Sequence, residues 1–408
     1  MRALDINQKL INNTRNTFIF DHMPSQLGTY PEIFIKTYGC AQSRYEAQWL
    51  ELILLKKGIL VYRQPFGSDK QFFRNNEEEG LIRRVRAAVI FGCPITKYLE
   101  KFTGDYVAYL KKINKKAKIL LSGCVLSSDY RLRKWANDVT DGSLILMSAD
   151  DIPEYLDRSS KNKRRSLPIK KMNLCEPGVV LIKRGCSQKC TYCICHHLNF
   201  PRNFGLKDIV GQLNYLRLEG FKNVEFAGSC YGRWRDPEGR KLKFADLVEY
   251  ILSKKYFRIV NLEIHPGHFS DKLTELVHST MVDKEISVPM QSASSRTLRK
   301  MDRGYDREYI FKLFSGLFRR VPQLKLTTDI IVGFPGERAD DFEDTVHLLE
   351  CFPFHRIDVY PYSQLKTSCL NCTDKNPRWD PEMIKKKMMQ LYDNKNLRDR
   401  LNITSTMA

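Results

Sequence analysis

Short apolar runs alternate with amphipathic stretches along most of this chain, which has 408 residues. In the first third of the chain the apolar runs have the length of strands, and the stretches between them carry apolar residues three and four positions apart, which is the spacing of a helix face. The strand-like runs are Ile33–Tyr38, Ala87–Phe91 and Ile119–Ser122, and the helical stretches are Arg44–Lys57 and Lys97–Lys112. Alternating strands and helices form βαβ units, so we expect a parallel α/β domain over residues 31–155.

Six further strand–helix units follow a basic, polar stretch at residues 157–171. The predicted strands are Val179–Lys183, Asn223–Ala227, Ile259–Ile264, Ile286–Met290, Leu326–Val332 and Ile357–Tyr362. The predicted helices include Lys207–Leu218, Phe244–Ser253, Asp271–Ser279, Glu308–Arg320 and Ala339–Cys351. Because six units are too few to close an eight-stranded barrel, we expect residues 176–385 to form an open, partial (βα)6 TIM barrel. The remaining expected parts are an extension at 1–30, a linker at 156–175 and a helical tail at 386–408.

The charge of the chain is strongly positive. It has 67 Lys and Arg residues against 47 Asp and Glu, a net charge of +20. A positive field of this sign favours polyanions such as RNA or ribosomes, although a solvated basic surface has the same composition. The chain shows neither an apolar run of membrane-spanning length nor the order of a secretory signal at its N-terminus. We therefore expect a cytoplasmic protein with no membrane partner.

Three of the 12 cysteines form the pattern Cys-x3-Cys-x2-Cys directly after the first predicted barrel strand, at Cys186, Cys190 and Cys193. In a reducing compartment, grouped cysteines bind metals or act in catalysis more often than they form disulfides. Three thiolates on one tight loop can bind three irons of a 4Fe–4S cluster and leave the fourth iron open. The alternatives are three unrelated buried cysteines, or a zinc site completed by Cys195.

Several short motifs outside the triad match one known family. They are Thr37-Tyr-Gly-Cys40, Ser122-Gly-Cys124, Pro289-Met-Gln-Ser-Ala-Ser294, Met301-Asp-Arg-Gly-Tyr305 and Asp329-Ile-Ile-Val-Gly-Phe-Pro-Gly-Glu337. Together with the triad, these motifs make residues 31–368 resemble the radical S-adenosylmethionine (SAM) methylthiotransferases. Members of that family modify tRNA adenosines or an aspartate of a ribosomal protein. The resemblance implies a flavodoxin-like N-terminal domain followed by a radical SAM barrel.

The resemblance also implies a second, auxiliary 4Fe–4S cluster bound by Cys40, Cys93 and Cys124. Each of these cysteines follows a predicted parallel strand, and open α/β sheets gather their ligands at the carboxyl ends of their strands. They could instead be core residues, since free Cys is commonly buried. In the family, the triad cluster cleaves SAM to a radical that takes a hydrogen from an unactivated carbon, and the auxiliary cluster carries the sulfur to be inserted.

Candidate residues for holding SAM come from the barrel motifs. They are Tyr192, Gly228, Ser229, Gln291, Ser292, Arg303 and Asp329. Strand-end packing, turn chemistry and structural ion pairs are the alternative roles for these positions. No side chain is assigned as a catalytic acid, base or nucleophile. The expected partners are tRNA, or else a ribosomal protein or peptide, together with an external reductant such as flavodoxin or ferredoxin.

The chain departs from the family along the substrate-facing rim. Ser43 stands where the family has Asn, Ala227-Gly-Ser229 replaces Thr-Gly-Gln, and only Arg202 remains of an arginine-rich stretch after the triad. Too few residues follow Thr367 for the family's C-terminal TRAM domain, which grips the substrate, so we expect none. The sequence thus predicts methylthiolation of a modified adenosine in tRNA. Modification of a protein side chain is the alternative substrate, and a cluster-bearing scaffold is the alternative class.

Overall fold

The computed structural model describes residues 32–37, 41–64, 76–92, 97–123, 144–147, 149–158, 177–193, 195–198, 202–321, 323–362 and 381–403. Within these ranges, strands alternate with helices in both halves of the chain, and nearly all neighbouring strands are parallel. None of the helices in these ranges has both the length and the apolar character needed to cross a membrane.

The N-terminal half contains a five-stranded parallel sheet. Its strands are β1 (Ile33–Thr37), β2 (Val61–Arg63), β3 (Ala87–Phe91), β4 (Lys118–Ser122) and β5 (Leu144–Leu146), and its helices are α1 (Ala41–Lys56), α2 (Asn76–Ile82), α3 (Lys97–Ile113) and α4 (Ile152–Arg158). The strand order is β2-β1-β3-β4-β5, the order of flavodoxin-like folds. The expected flavodoxin-like domain is therefore confirmed.

Helices cover both faces of this sheet, which explains why its central strands carry apolar residues at consecutive positions. Along β1, Phe34 packs against Tyr106 of α3, with 6.5 Å between the ring centres. Ile33 and Ile35 point to the opposite face and pack in a core with Leu50 of α1. Continuous apolar runs of this kind are typical of parallel strands buried on both faces.

The second half contains the barrel. Its strands are β6 (Gly178–Leu181), β7 (Lys183–Arg184), β8 (Arg202–Asn203), β9 (Asn223–Ala227), β10 (Arg258–Ile259), β11 (Leu262–Glu263), β12 (Glu285–Ser287), β13 (Lys325–Val332), β14 (Arg356–Pro361) and β15 (Leu401–Ile403). Its helices are α5 (Cys195–Leu198), α6 (Leu206–Leu218), α7 (Phe244–Ser253), α8 (Asp271–Val277), α9 (Ser295–Lys300), α10 (Arg307–Arg320), α11 (Ala339–Cys351) and α12 (Pro381–Asp393). The parallel strands follow the orders β6-β9-β10 and β11-β12-β13-β14-β15, while β7 and β8 form a separate antiparallel pair.

A break within the third barrel strand divides the wall into these two rows. The strand expected at Ile259–Ile264 is two short strands, of which β10 pairs with β9 and β11 pairs with β12. Asn261 separates them with a left-handed φ of 51°, a conformation that Asn tolerates better than most residues and that cannot continue a strand. All six expected strand positions are nevertheless occupied in order, and the open partial barrel is confirmed.

The barrel continues past the boundary expected at residue 385. Helix α12 spans that boundary, and its residues Ile384 and Leu391 are fully buried in the barrel core. Strand β15 then pairs in parallel with β14, with Ile357 opposite Leu401, so the helical tail expected at 386–408 also contains a strand. The start expected for the linker also changes, because α4 extends to Arg158. The other domain boundaries remain predictions.

Helix α1 joins the two halves. Arg44 in its first turn makes two hydrogen bonds of 2.7 Å to the carboxylate of Glu225 on β9, and Asn261 donates to the same carboxylate at 2.7 Å. One turn further on, the amide oxygen of Gln48 accepts from the backbone N–H of Val179 on β6 at 3.0 Å. Because Glu225 is almost fully buried, this paired arginine ties the N-terminal domain to the inner wall of the barrel.

We expect Gly228→Ala to destabilise the barrel. Gly228 has a φ of +131°, and an added Cβ would lie 2.2 Å from the carbonyl oxygen of Lys183, so the free energy of unfolding should fall by roughly 2 kcal/mol or more. The matched control is Gly211→Ala in helix α6, where no atom lies within 4 Å of an added Cβ. That change should raise the free energy of unfolding by up to about 1 kcal/mol. Urea unfolding of both variants is the measurement, and equal effects would contradict this account.

Candidate metal centre

The loop after β7 carries Cys186, Cys190 and Cys193 at the carboxyl end of the first barrel strand. Cys186 and Cys190 are buried, and Cys193 is half-buried. The backbone N–H of Cys193 donates to the carbonyl of Cys190 at 3.0 Å, which closes a turn between these two residues. The structure therefore holds the three thiols on one tight, mostly buried loop.

Each of the three sulfurs accepts a hydrogen bond from nitrogen. The backbone N–H of Gln188 donates to Cys186 Sγ at 3.4 Å, and that of Cys195 donates to Cys193 Sγ at 3.4 Å. Arg303 Nη1 donates to Cys190 Sγ at 3.5 Å. Hydrogen bonds from N–H groups stabilise thiolates and are one of the features that set the reduction potential of an iron–sulfur cluster. This set of donors fits three thiolate ligands.

The surroundings change the pKa of each thiol. The hydrogen bond with the Cys230 thiol lowers the pKa of Cys186 to about 6. The hydrogen bond with Cys195 lowers the pKa of Cys193. Burial raises the pKa of Cys190, and the positive charge of Arg303 offsets part of that effect. Two of the three thiols therefore lose their protons more readily than an ordinary cysteine, and the thiolate is the form that binds iron.

Arg303 is the polar centre of this loop. Besides the bond to Cys190, its Nη1 donates to Tyr192 Oη at 3.0 Å, and its Nε donates to Tyr305 Oη at 2.8 Å. Its Nη2 donates to the carbonyl of Pro289 at 2.7 Å. The guanidinium is buried, and these contacts occupy four of its five N–H groups. Arg303, expected to contact SAM, therefore lies where it holds the cysteine loop.

Tyr192 and its neighbour also anchor the loop to the barrel. Thr191 Oγ1 donates to the carbonyl of Lys300 at 2.8 Å, and its backbone N–H donates to that of Met301 at 3.2 Å. The ring of Tyr192 packs in a small apolar cluster with Met301 and Phe334. The residues between Cys190 and Cys193 are consequently fixed to the C-terminal end of α9.

Cys230 was given no role from the sequence, yet its sulfur lies 3.1 Å from that of Cys186. It follows β9 in a left-handed conformation, with a φ of 52°, which is uncommon for a residue that is not Gly or Asn. Neighbouring parallel strands end side by side, so a cysteine just after the second barrel strand lies near a loop just after the first. The position of Cys230 just after the second barrel strand could therefore have predicted that it lies near the cysteine loop.

Two histidines beside the loop were also missed. His265 and His268 stack with 4.4 Å between ring centres, and His265 Nε2 lies 3.4 Å from the amide nitrogen of Gln188. Burial, with the nearby charge of Arg303, lowers the pKa of His265 to about 2, and burial with Arg233 lowers that of His268 to about 3. Both rings are therefore neutral, and they form a polar wall that is free of charge beside the cysteine loop.

The other residues expected to hold SAM fall into two groups. Gly228 and Ser229 form the turn after β9 that leads to Cys230 and are near the cysteine loop. Gln291 has a φ of 69° and bridges to β13 through the carbonyl of Asp329 at 2.8 Å. Ser292 is buried, and its Oγ lies 3.2 Å from Thr345 Oγ1 of α11, as the packing role predicts. Their contacts with SAM remain predictions.

Asp329 lies among acidic groups on the inner barrel wall. Burial, together with the negative charges of Glu263 and Asp358, raises the pKa of Asp329 to about 8. The same surroundings raise the pKa of Tyr360. The Asp329 carboxyl therefore retains its proton to a higher pH than an ordinary aspartate.

The predicted auxiliary ligands Cys40, Cys93 and Cys124 lie outside the described residues, but the strands before them are described. Thr37 of β1 is directly opposite Phe91 of β3, and Phe91 is directly opposite Ser122 of β4. Three adjacent strands therefore end at the same level of the sheet. In the sequence, each predicted ligand follows its strand end by two or three residues.

The donor set supports a cluster better than zinc. Among the residues that the structure describes, no three His, Cys, Asp or Glu side chains converge closely enough to bind one metal ion. A structural zinc needs such convergence, whereas a cubane binds each cysteine through a different iron. The triad, with one N–H donor for each sulfur, fits a 4Fe–4S cluster, and the zinc alternative with Cys195 gains no support.

Known proteins share both the sequence and the fold. Residues 180–349 match the family model of the Radical SAM superfamily. The chain is 27% identical over 348 residues to a tRNA-2-methylthio-N(6)-dimethylallyladenosine synthase from Thermodesulfovibrio yellowstonii, covering 81% of this chain and 76% of that one. The synthase of the same name from Desulfitobacterium hafniense is 28% identical, covering 80% and 74%. The structure of the radical SAM methyltransferase TsrM from Kitasatospora setae superimposes with a TM-score of 0.54 at 11% identity, covering 81% and 75%.

The family model covers the cysteine loop and five of the six barrel strands, so this part of the chain is a radical SAM domain. The chain is also similar to the tRNA methylthiotransferases over about four fifths of its length, which is more than the barrel alone. The similarity to TsrM supports the fold alone.

Arg303→Gln should weaken the cluster site and make the reduction potential of its cluster more negative. The change removes the positive charge beside Cys190 that stabilises the more negative, reduced cluster. We expect chelators to remove iron roughly ten- to a hundredfold more easily. Arg299→Gln is the matched control, since Arg299 is exposed and lies at the C-terminal end of α9, close in sequence to Arg303. An EPR-monitored redox titration gives the potential; a potential equal to that of the control variant would refute a positioning role for Arg303.

Proposed function

We propose that this enzyme inserts a methylthio group into an unactivated C–H bond of a modified adenosine in tRNA. The observation that carries the proposal is the common level at which β1, β3 and β4 end, through Thr37, Phe91 and Ser122. Each of these strands is followed in the sequence by a cysteine, so three thiols can serve one auxiliary cluster. A radical SAM enzyme with a second three-cysteine site has the ligands needed for sulfur insertion.

The junction between the two halves supports this assignment. Helix α1 begins one residue after Cys40, and Arg44 in its first turn is paired with Glu225 on the inner barrel wall. Tyr45 beside it packs against Val179 and Ala227 of the barrel. The edge of the N-terminal sheet that carries the auxiliary cysteines in sequence is thereby turned toward the barrel. Two clusters that act on one substrate need this arrangement.

The relatives supply the substrate class. Their names specify a tRNA adenosine that carries a dimethylallyl group. The net charge of +20 agrees with an RNA substrate, because phosphates attract a basic surface. The proposed substrate is therefore a tRNA base, and the site of insertion is a carbon of a modified adenosine.

The bound groups would supply chemistry that no side chain can. A cluster on Cys186, Cys190 and Cys193, reduced by an external flavodoxin or ferredoxin, would cleave SAM to a radical able to take hydrogen from carbon. The chain itself holds the loop through Arg303 and excludes water by burying it. Asp329 lies on the inner barrel wall, and its raised pKa means that it loses its proton less readily than an ordinary aspartate.

Iron analysis after anaerobic reconstitution tests the two clusters. We expect about eight irons per chain in the wild type and about four after Cys186, Cys190 and Cys193 are all changed to Ala. Cys230→Ala is the control, because its thiol contacts Cys186 but lies outside the proposed ligand sets, and it should keep about eight. A wild type with about four irons that falls to none would remove the auxiliary cluster and the sulfur-insertion proposal with it.

Nucleoside mass spectrometry tests the substrate. In a strain that lacks this gene, tRNA digests should lose one adenosine derivative of methylthio mass, and the wild-type gene should restore it, while the triad variant should not. Unchanged tRNA together with a lost methylthio group on a protein would transfer the activity to the alternative substrate. Failure of the reduced, reconstituted enzyme to form 5′-deoxyadenosine from SAM would favour the scaffold alternative.

A further inference from the structure

A small basic cavity lies beside the cysteine loop. Its volume is about 260 Å³, the space of roughly eight or nine liquid water molecules. The residues that line it are Lys183, Ser187, Asn203, Arg233 and Arg235. They come from the β7–β8 pair, the cysteine loop and the turn after β9, which places the cavity next to Cys186 at the rim of the barrel. Three cations and no carboxylate form its wall.

None of these three cations has a carboxylate partner among the described residues. Lys183 Nζ donates to Ser187 Oγ at 3.2 Å although the residue is only 2 % exposed. Arg233 donates to the amide oxygen of Gln188 at 3.1 Å, and Arg235 donates to the carbonyl of Trp234 at 3.0 Å. Lys183 is buried, whereas Arg233 and Arg235 are exposed, so one buried and two exposed positive charges line the cavity and favour an anionic ligand there.

Arg240, which does not line the cavity, differs from Arg233 and Arg235 in its ion pairs. It lies five residues after Arg235 and pairs with Glu238 at 2.7 Å and with Asp236 at 3.6 Å. Its charge is therefore compensated within the protein. The same stretch of chain thus pairs the arginine outside the cavity with carboxylates and leaves the two that line it without a carboxylate partner among the described residues.

Asn203 adds a polar group to the same wall. Its Oδ1 is buried and has no hydrogen-bond partner among the described residues. The two ends of an amide are assigned from their surroundings, and turning this one over would aim two N–H donors where the oxygen lies. The cavity then offers donors from Lys183, Ser187, Asn203 and the two arginines. Such a set suits the several acceptor oxygens of a phosphate better than a single carboxylate.

We propose that this cavity binds a backbone phosphate of the RNA substrate close to the nucleotide that is modified. The proposal rests on the proposed function, because it assumes an RNA substrate. Phosphate contacts fix the register of a nucleic acid on a protein without reading its sequence. A phosphate held beside Cys186 would set which nucleotide enters the barrel. The cavity thus supplies a substrate contact within the barrel domain itself.

RNA binding by the full-length, anaerobically reconstituted enzyme tests the site. The probe is a fluorescein-labelled anticodon stem-loop RNA, and its anisotropy gives the dissociation constant over a series of KCl concentrations. Changing Arg233 and Arg235 together to Ala should weaken binding about tenfold at low salt, since each loses charged hydrogen bonds. The slope of log affinity against log salt should fall by about 0.7, the value for one phosphate of a single strand. Arg240→Ala should bind like the wild type.

A neutral phosphate analogue makes the test specific. A set of stem-loops carries one methylphosphonate each, at successive positions around the target adenosine. At one position the neutral linkage should weaken binding by the wild type but not by the double variant, because both changes remove the same contact. The iron content of the double variant, compared with the wild type, confirms that the cluster loop is intact.

Other outcomes overturn the proposal in distinct ways. If the double variant binds RNA like the wild type but binds SAM more weakly, the cavity holds the carboxylate of SAM. If neither affinity changes, it holds no ligand of this reaction. If the wild type itself does not bind the stem-loop, the RNA part of the proposed function fails as well. If only the proposal about the cavity fails, the wild type still binds the stem-loop RNA.

Discussion

The arrangement of parallel strands determines where chemistry can occur in both halves of this protein. Parallel strands in register end at one edge, and residues that follow them meet there whatever their separation in sequence. In the barrel this brings Cys230, which follows β9, to 3.1 Å from Cys186, which follows β7. In the N-terminal sheet it aligns Thr37 with Phe91 and Phe91 with Ser122. The same constraint thus builds the described triad site and supports the proposed auxiliary site.

A loop at such an edge still needs to be held, and here the support comes from distant parts of the chain. Arg303 connects Cys190 and Tyr192 to Tyr305 and to the backbone of Pro289. It is fully charged in any pH range that the protein meets, so its buried charge needs the partners that surround it. A loaded cluster with three thiolates adds negative charge beside it. The arginine and the cluster therefore stabilise each other, and each makes burial of the other less unfavourable.

Periodicity in the sequence predicted the fold well because burial controls both. The bounds of β3, β9, α7 and α11 agree with the expected ranges to the residue. The strand broken at Asn261 and the short strand β15 were not predicted as they occur. A residue with a left-handed backbone does not change the hydrophobic periodicity of an apolar run, so the break was not predicted. A strand of three residues is too short to show alternation of apolar and polar side chains. The spacing of the cysteines was enough to predict the triad of the site. His265 and His268 come near the cysteine loop only through tertiary contacts, so the sequence did not reveal them.

The side chains around the cysteine loop include both neutral histidines and positively charged residues. His265 and His268 are neutral because burial and nearby arginines oppose a further positive charge. Lys183, Arg233 and Arg235 lie near the same loop and have no carboxylate partner among the described residues. A neutral wall suits a nucleobase and a radical reaction that must exclude water, while a cationic wall suits a phosphate.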